Sequence, residues 1–469
     1  METNIRRLAR AGFLIVAFLL RASAQDRYLI RAPISEIGNI AARHHLTIIR
    51  SFEGSARNLH LVTAPAGEDV QRTMQGLQAD ALVQGVEPDF PISLPEMSAG
   101  VPLRQMGLPA PAPLSDHTLV KYYGTSAWDA YVNQPAAFVI NVAQAHAFAT
   151  GSGTVAFLDT GVDFGQPVLG NSLVEGYDFT RDIPGGSEMA DLDQSTDSIL
   201  DQSTDSILDQ STDSILDQST DSILDQMVAF ILNQSTTAIL DQSTDSILDQ
   251  NLSQLPSAFG HGTMVAGLIH LVAPTAKIMP VKVFTGAGTS VLSNIVSGIY
   301  WAVDHGANVI NMSFSSTQSS QEMQNAINYA NSQGVICVAA AGNAGEQIMV
   351  YPAGYHSAVM GVASTDNQDI RSTFSNYGNN LVTVAAPGEG VVTLYPGNNY
   401  AEAWGTSFSA PLVAGGAALL IQLGGNHVDE AQAAQAISQA NPIGQGLGAG
   451  ELDLLQACSY EEFSHGGGR

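Results

Sequence analysis

Cysteine is almost missing from this chain: Cys337 and Cys458 are the only two in 469 residues. They make no disulfide framework and offer no paired Cys/His spacing for zinc. Cys337, inside GVICVAAAG, reads as a small buried hydrophobe. Basic residues are scarce too, with 17 Lys and Arg against 44 Asp and Glu and a formal net charge of −27. No basic stripe is left to displace phosphate counterions, which excludes nucleic acid as a partner. Beyond the first 24 residues no stretch reaches the roughly 18 uninterrupted apolar residues of a membrane span. The expectation is a soluble, monomeric mature protein with no stable membrane anchor.

What is present is 45% hydrophobic residues and 45 glycines, enough for one large domain and a smaller one. Residues 1–24 read as an export signal: Arg6, Arg7 and Arg10, the apolar run AGFLIVAFLL, then Ala22-Ser23-Ala24 as a cleavage site. Secretion is therefore expected. Residues 26–95 alternate in the order strand–helix–strand–strand–helix–strand, which predicts a small α+β domain. The Pro-rich GLPAPAPLSDH lies in a linker over 96–124.

Over 125–459 the pattern becomes short apolar strands (TVAFLDTG, KIMPVKVF, NVINMSF, GVICVAAAGN, AVMGVAS, LVTVAAPG) alternating with longer helices, followed by a tail over 460–469. Strands without a polar face imply a parallel sheet covered on both sides, so the predicted fold class is α/β, a doubly wound, mostly parallel sheet. Sites in such folds gather beyond the carboxyl ends of the strands. Three motifs meet that condition. Asp159 ends a strand in DTGVD, His261 precedes an apolar helix in GHGTMVAG, and Ser407 opens another helix in GTSFSAP.

Each alone is ordinary, as a turn Asp, a surface or core His, or an N-cap Ser. Together they supply a nucleophilic hydroxyl, a base that titrates near neutral pH, and a carboxylate to orient it. Asn343, at the strand end in AAAGN, offers with the Ser407 backbone N–H an oxyanion hole.

On DTGVD, HGTMVAG, AAAGN and GTSFSAP the chain resembles the subtilisin-like serine peptidases, the subtilases. The resemblance implies catalysis by Asp159, His261 and Ser407 through an acyl-enzyme, with an oxyanion hole at Asn343 and Ser407. It also implies substrate binding by Ser313, Phe314, Ser315, Ala341 and Gly342. Segment 26–95 is similar to the family's inhibitory propeptide, implying a self-processing precursor inhibited by its own N-terminal piece. Structural calcium is allowed, with no ligands indicated, and catalysis requires no cofactor. One departure is NMSFSS, where many relatives read Asn-Met-Ser-Leu-Gly-Gly; Ser315 and Ser316 in place of glycines put the substrate preference in doubt.

Between Asp159 and His261 stand eight octads, residues 194–257, five of them QSTDSILD verbatim. They carry 11 Asp and no Lys, Arg or Glu. The two catalytic positions are 102 apart, or 38 without the 64 octad residues, so the repeat is an insertion in a surface connection. An octad advances an α-helix about 80° past whole turns, giving no fixed apolar stripe. Irregular, stacked strand-turn and helical conformations all stay open, as do a cation-binding or docking arm and a merely solvated insert.

Two rival functions remain. An aspartic peptidase needs a second carboxylate triplet, which is absent. An inactive subtilase shell serving ion binding or adhesion leaves the intact triad without a purpose.

Overall fold

In the computed structural model, residues 27–94, 118–192, 256–424 and 428–465 are described. The export signal, the Pro-rich stretch and all of the octads except Pro256 and Ser257 lie outside them. The N-terminal unit runs β1 (Arg27–Arg31), α1 (Ile37–Arg43), β2 (Thr47–Ser51), β3 (Leu59–Thr63), α2 (Val70–Ala79), β4 (Gly85–Pro88). Its sheet is antiparallel in the order β2-β3-β1-β4. The period of two is plain in RYLIR: Tyr28 and Ile30 pack with Ile37, Ile40 and Leu77, while Leu29 turns to the opposite face and joins the main core. Asp69 caps α2 by accepting from the Gln71 and Arg72 N–H groups. A further strand, β5 (Pro91–Ser93), leaves this sheet and pairs elsewhere.

Structure resumes inside the expected linker. β6 (Leu119–Tyr122) and β7 (Thr125–Trp128) form a hairpin, and buried Tyr122 donates its hydroxyl to Leu271 O. The prolines before residue 118 had masked this short alternating pair.

Three helical turns between 129 and 145 lead into the large sheet. Its strands are β8 (Thr154–Asp159), β9 (Tyr177–Asp178), β10 (Ile183–Pro184) and β11 (Lys277–Lys282), then β13 (Val309–Met312), β14 (Ile336–Ala340), β15 (Met360–Thr365) and β16 (Val384–Pro387). A separate short strand, β12 (Thr289–Val291), takes β5 as its partner. The spatial order is β10-β9-β11-β8-β13-β14-β15-β16, and only the β10–β9 pair is antiparallel. The expected α/β fold with a mostly parallel sheet is the fold observed.

The helices covering the sheet are α3 (His261–Val272), α4 (Leu292–Asp304), α5 (Gln321–Ser332), α6 (Thr406–Gly424), α7 (Glu430–Ile437) and α8 (Leu454–His465). The hairpin β17 (Glu389–Tyr395) and β18 (Asn399–Trp404) packs beside α3. α6 is long and apolar enough to cross a membrane by composition, yet 78% of that span is buried inside the protein, as befits a core helix. The chain steps from β8 to β11 on one side and later to β13 on the other, so strand order reverses at β8. Ligand crevices form beyond such reversals, and β8 ends in Asp159.

Candidate active site

Asp159 is the last residue of β8, and its Oδ1 accepts the Thr160 N–H at 2.7 Å. His261 is the first residue of α3, with Nδ1 2.7 Å from the same oxygen. Two glycines permit this approach. Gly161 holds a φ of +105°, and any side chain on Gly262 would strike the Gly161 carbonyl. The DTG turn and the HGT turn are therefore pressed backbone to backbone.

Ser407 is the second residue of α6, where the unsatisfied N–H groups of the first turn favour developing negative charge. Its Oγ donates to Ser313 O at 3.1 Å, and Ser313 Oγ donates back to Ser407 O at 2.8 Å. The His261 ring lies 5.3 Å, centroid to centroid, from that of Phe408, the next residue of α6. The structure thus brings Asp159, His261 and Ser407 to one rim, all of them buried.

Asn343 follows β14 on the same rim. Its Oδ1 accepts from the Thr406 N–H (3.0 Å) and the Thr406 hydroxyl (2.9 Å), which fixes the amide plane by the residue next to Ser407. Thr406 Oγ1 also accepts the Gly342 N–H at 3.0 Å. Buried Asn376 holds the loop from behind: Oδ1 accepts from Ala344 and Glu346, and Nδ2 donates to Ala341 O at 2.9 Å. Ala341 and Gly342 therefore form a rigid wall. Facing it, Phe314 is buried, while Ser315, Ser316, Asn343, Ile348 and Val350 line a cavity of about 390 Å³. The same cavity is lined by Pro91, Ile92 and Ser93 of β5, which runs antiparallel to β12 with Ile92 opposite Ser290.

Reading the sequence missed several supports. Lys282, fully buried, donates through Nζ to Thr160 O (2.6 Å), Asp191 Oδ2 (2.7 Å) and Phe284 O (3.0 Å). A lysine closing the apolar run IMPV marks the position as unusual but says nothing of its distant partners. Thr406 had only its place inside GTSFSAP, and Asn376 had no signal.

Both cysteines are free and buried, and burial pushes the Cys458 thiol up to about 12. Among the described residues no three His, Cys, Asp or Glu side chains are grouped to hold a metal ion, so calcium gains no acidic donor set there.

The profile of the Subtilase family matches residues 151–452, most of the chain, and the chain belongs to that family. Thermitase of Thermoactinomyces vulgaris is 43% identical over 175 residues, 35% of this chain and 62% of thermitase. Subtilisin BL of Lederbergia lenta is 43% identical over 172 residues, 35% of this chain and 63% of its own. The matched regions thus span less than two thirds of these relatives. Fervidolysin from Fervidobacterium pennivorans, a keratinolytic enzyme related to subtilisin, superposes with a TM-score of 0.63 at 22% identity. That match covers 92% of this chain and 61% of fervidolysin. A lanthipeptide protease gives a TM-score of 0.50 at 23% identity, covering 69% and 93%. At these identities the structural likeness is one of fold: subtilisin-like α/β.

Proposed function

We propose that the chain is a secreted serine endopeptidase, made as a self-processing precursor, that cuts peptide bonds through Asp159, His261 and Ser407. The observation that carries this is the 2.7 Å contact of His261 Nδ1 with Asp159 beside the α6 turn holding Ser407. Asp159 fixes the tautomer that leaves Nε2 as the base. A turn of the Ser407 side chain away from Ser313 O brings its hydroxyl to that base. His261 takes the proton as Oγ attacks the carbonyl and then returns it to the leaving amine. Asn343, its Oδ1 tied to Thr406, presents Nδ2 with the Ser407 N–H to the oxyanion. Substrate lies as an added strand in the cleft that β5 lines. On this reading residues 27–94 are the intramolecular inhibitor, since β5 shares the cavity with Asn343 and Ser315.

The test compares wild type with Ser407→Ala by mass spectrometry and by hydrolysis of an unstructured protein substrate. Wild type should shed the N-terminal unit, hydrolyse the substrate and bind a sulfonyl fluoride at Ser407. The variant should stay full length and fall by at least about 10⁴-fold in rate. Processing and hydrolysis that both survived the substitution would overturn the proposal.

A further inference from the structure

Glu188 is 1% exposed and lies just before the chain runs into the octads. Its Oε1 accepts from the backbone N–H of Gly260 (3.0 Å) and Gly262 (3.1 Å) and from the Thr160 hydroxyl. Its Oε2 accepts from the Thr263 N–H (3.2 Å) and the Thr263 hydroxyl. The Thr263 hydroxyl already accepts the Asp163 N–H at 2.8 Å, so its own proton is directed at Glu188. Three of the five donors are N–H groups that cannot accept. The niche is built for a carboxylate, and a neutral acid or amide there would set donor against donor.

The position matters as much as the count. Gly260, the residue before His261, has no side chain to cap α3, and Glu188 supplies that cap from 72 residues away. Through Thr160 it also holds the residue after Asp159, and its own N–H donates to Val162 O at 3.1 Å. One carboxylate therefore fastens the end of β8 to the first turn of α3, the two elements whose alignment sets the Asp159–His261 distance.

We propose that Glu188 is a positioning residue for that pair, setting the His261 ring through the first turn of α3 and adding negative charge that favours the imidazolium formed in turnover. The proposal rests on the peptidase reading above and deepens it: the stem of the octad insertion belongs to the machinery supporting the site. The charged groups acting on Glu188 are Asp159 from β8 and Lys282 from β11, and Glu188 acts in turn on Tyr395 of β17. His261 sits between the two glycines whose N–H groups Glu188 accepts, and Arg181 and Asp191 flank it on its own segment. Burial pushes Glu188 up to about 7 against the pull of the Thr160 and Thr263 hydroxyls; nearby Asp159 raises it further and Lys282 lowers it.

The experiment measures kcat and KM against pH for the full chain, wild type, Glu188→Gln and Glu188→Asp, with active sites titrated by a serine-directed inhibitor. For Glu188→Gln, kcat per titrated site should fall about 10²-fold with KM little changed. Losing a neighbouring negative charge lowers the pH at which the imidazole gains its proton. The acid limb of kcat/KM should therefore move down, by less than about one pH unit because Glu188 itself gains its proton near 7. Glu188→Asp keeps the charge and should return that limb to its wild-type place while kcat stays depressed. If Glu188→Gln yields no titratable sites, the Asp variant carries the test, since depressed kcat at an unmoved limb is required of it. Unchanged kcat and limb in every variant that titrates, with only fewer sites, would overturn the proposal in favour of a purely structural role. A wild type without hydrolysis dependent on Ser407 would overturn the peptidase reading itself, a separate result.

Discussion

In the catalytic sheet, Phe157 and Leu158 of β8 and every residue of β14 are sealed on both faces. In the N-terminal unit, β2 leaves Ile48 and Ile49 exposed, and the unit's own core is a small cluster around Tyr28, Ile30 and Ile40. Its other face leans on α4 and α5: Leu29, Phe52, Leu59 and Leu61 join the main core from that side, and carboxylates meet the starts of both helices. Fully buried Asp89 accepts the Ser293 N–H (2.7 Å) and hydroxyl (3.0 Å) at the start of α4 and pairs with Arg27 at 2.8 Å. Glu87 does the same for α5, accepting from the Ser320 hydroxyl, the Gln321 N–H and the Glu322 N–H. Arg31 pairs with Glu322, and Ser55 bonds Asp304. The catalytic domain thus holds itself by burial. The small unit instead shares part of its burial with its neighbour and sets two carboxylates at that neighbour's helix N-termini, where negative charge is favoured.

The sharpest way to break this contrast is Asp89→Ala in the Ser407→Ala chain, where the two parts stay linked. Removing Asp89 leaves a buried N–H and Arg27 without their acceptor, a cost of about 3 kcal/mol. Hydrogen exchange should show the amides of β1–β4 losing protection by about 100-fold while those of β8 and β14 keep theirs. Equal loss in both regions would mean that the small unit is no more dependent than the large one.

A pH series separates the two regions next. In the catalytic domain Glu402, Glu430 and Glu451 are each pushed up to about 8 by burial. A folded value above the ordinary 4.5 means that the folded state binds more protons between those limits, so stability declines as pH rises from about 4.5 to 8. In the N-terminal unit Asp80 is pulled down to about 2, chiefly by its hydrogen bond from Arg43, so its contribution is lost only in stronger acid. The melting temperature of the Ser407→Ala chain should therefore be lower at pH 8 than at pH 5. Substituting Gln for Glu430, whose carboxylate accepts the Cys337 N–H, should flatten that slope. A melting temperature rising across the window would contradict this account.

How much of this was legible before the fold depended on range. The triad positions, Asn343 and the α+β order of 26–95 were readable because each is a local motif at a strand end or a local periodicity. Glu188 and Lys282 were not: their partners Thr263 and Thr160 lie 75 and 122 residues away, and no spacing rule reaches so far. The pairing of β5 with β12 hid for another reason. Edge strands of three residues carry too little pattern to separate from the helix that follows. Ser315 and Ser316, which put the substrate preference in doubt, line the cavity beside Asn343.

The smallest effect is expected from the most conspicuous part of the sequence. Asp191 Cβ and Pro256 Cβ lie 3.2 and 3.0 Å from the point where a Gly286 side chain would begin, so the stems flanking the octads meet at one place. Asp191 is fastened there by Lys282, and Ala258 N–H donates to Gly286 O at 2.8 Å. Replacing 194–255 by about five Gly and Ser residues asks for a connection of ordinary length between adjacent stems. Loop-closure entropy then changes by only about 2 kcal/mol, in the stabilising direction. With Glu188 and Asp191 retained, kcat/KM on an unstructured substrate should stay within about twofold of wild type, because no triad support is removed. A large loss of activity in a shortened chain that still folds would show that the octads reach the site, and the contrast between a self-sufficient catalytic domain and its dependent neighbour would have to be redrawn.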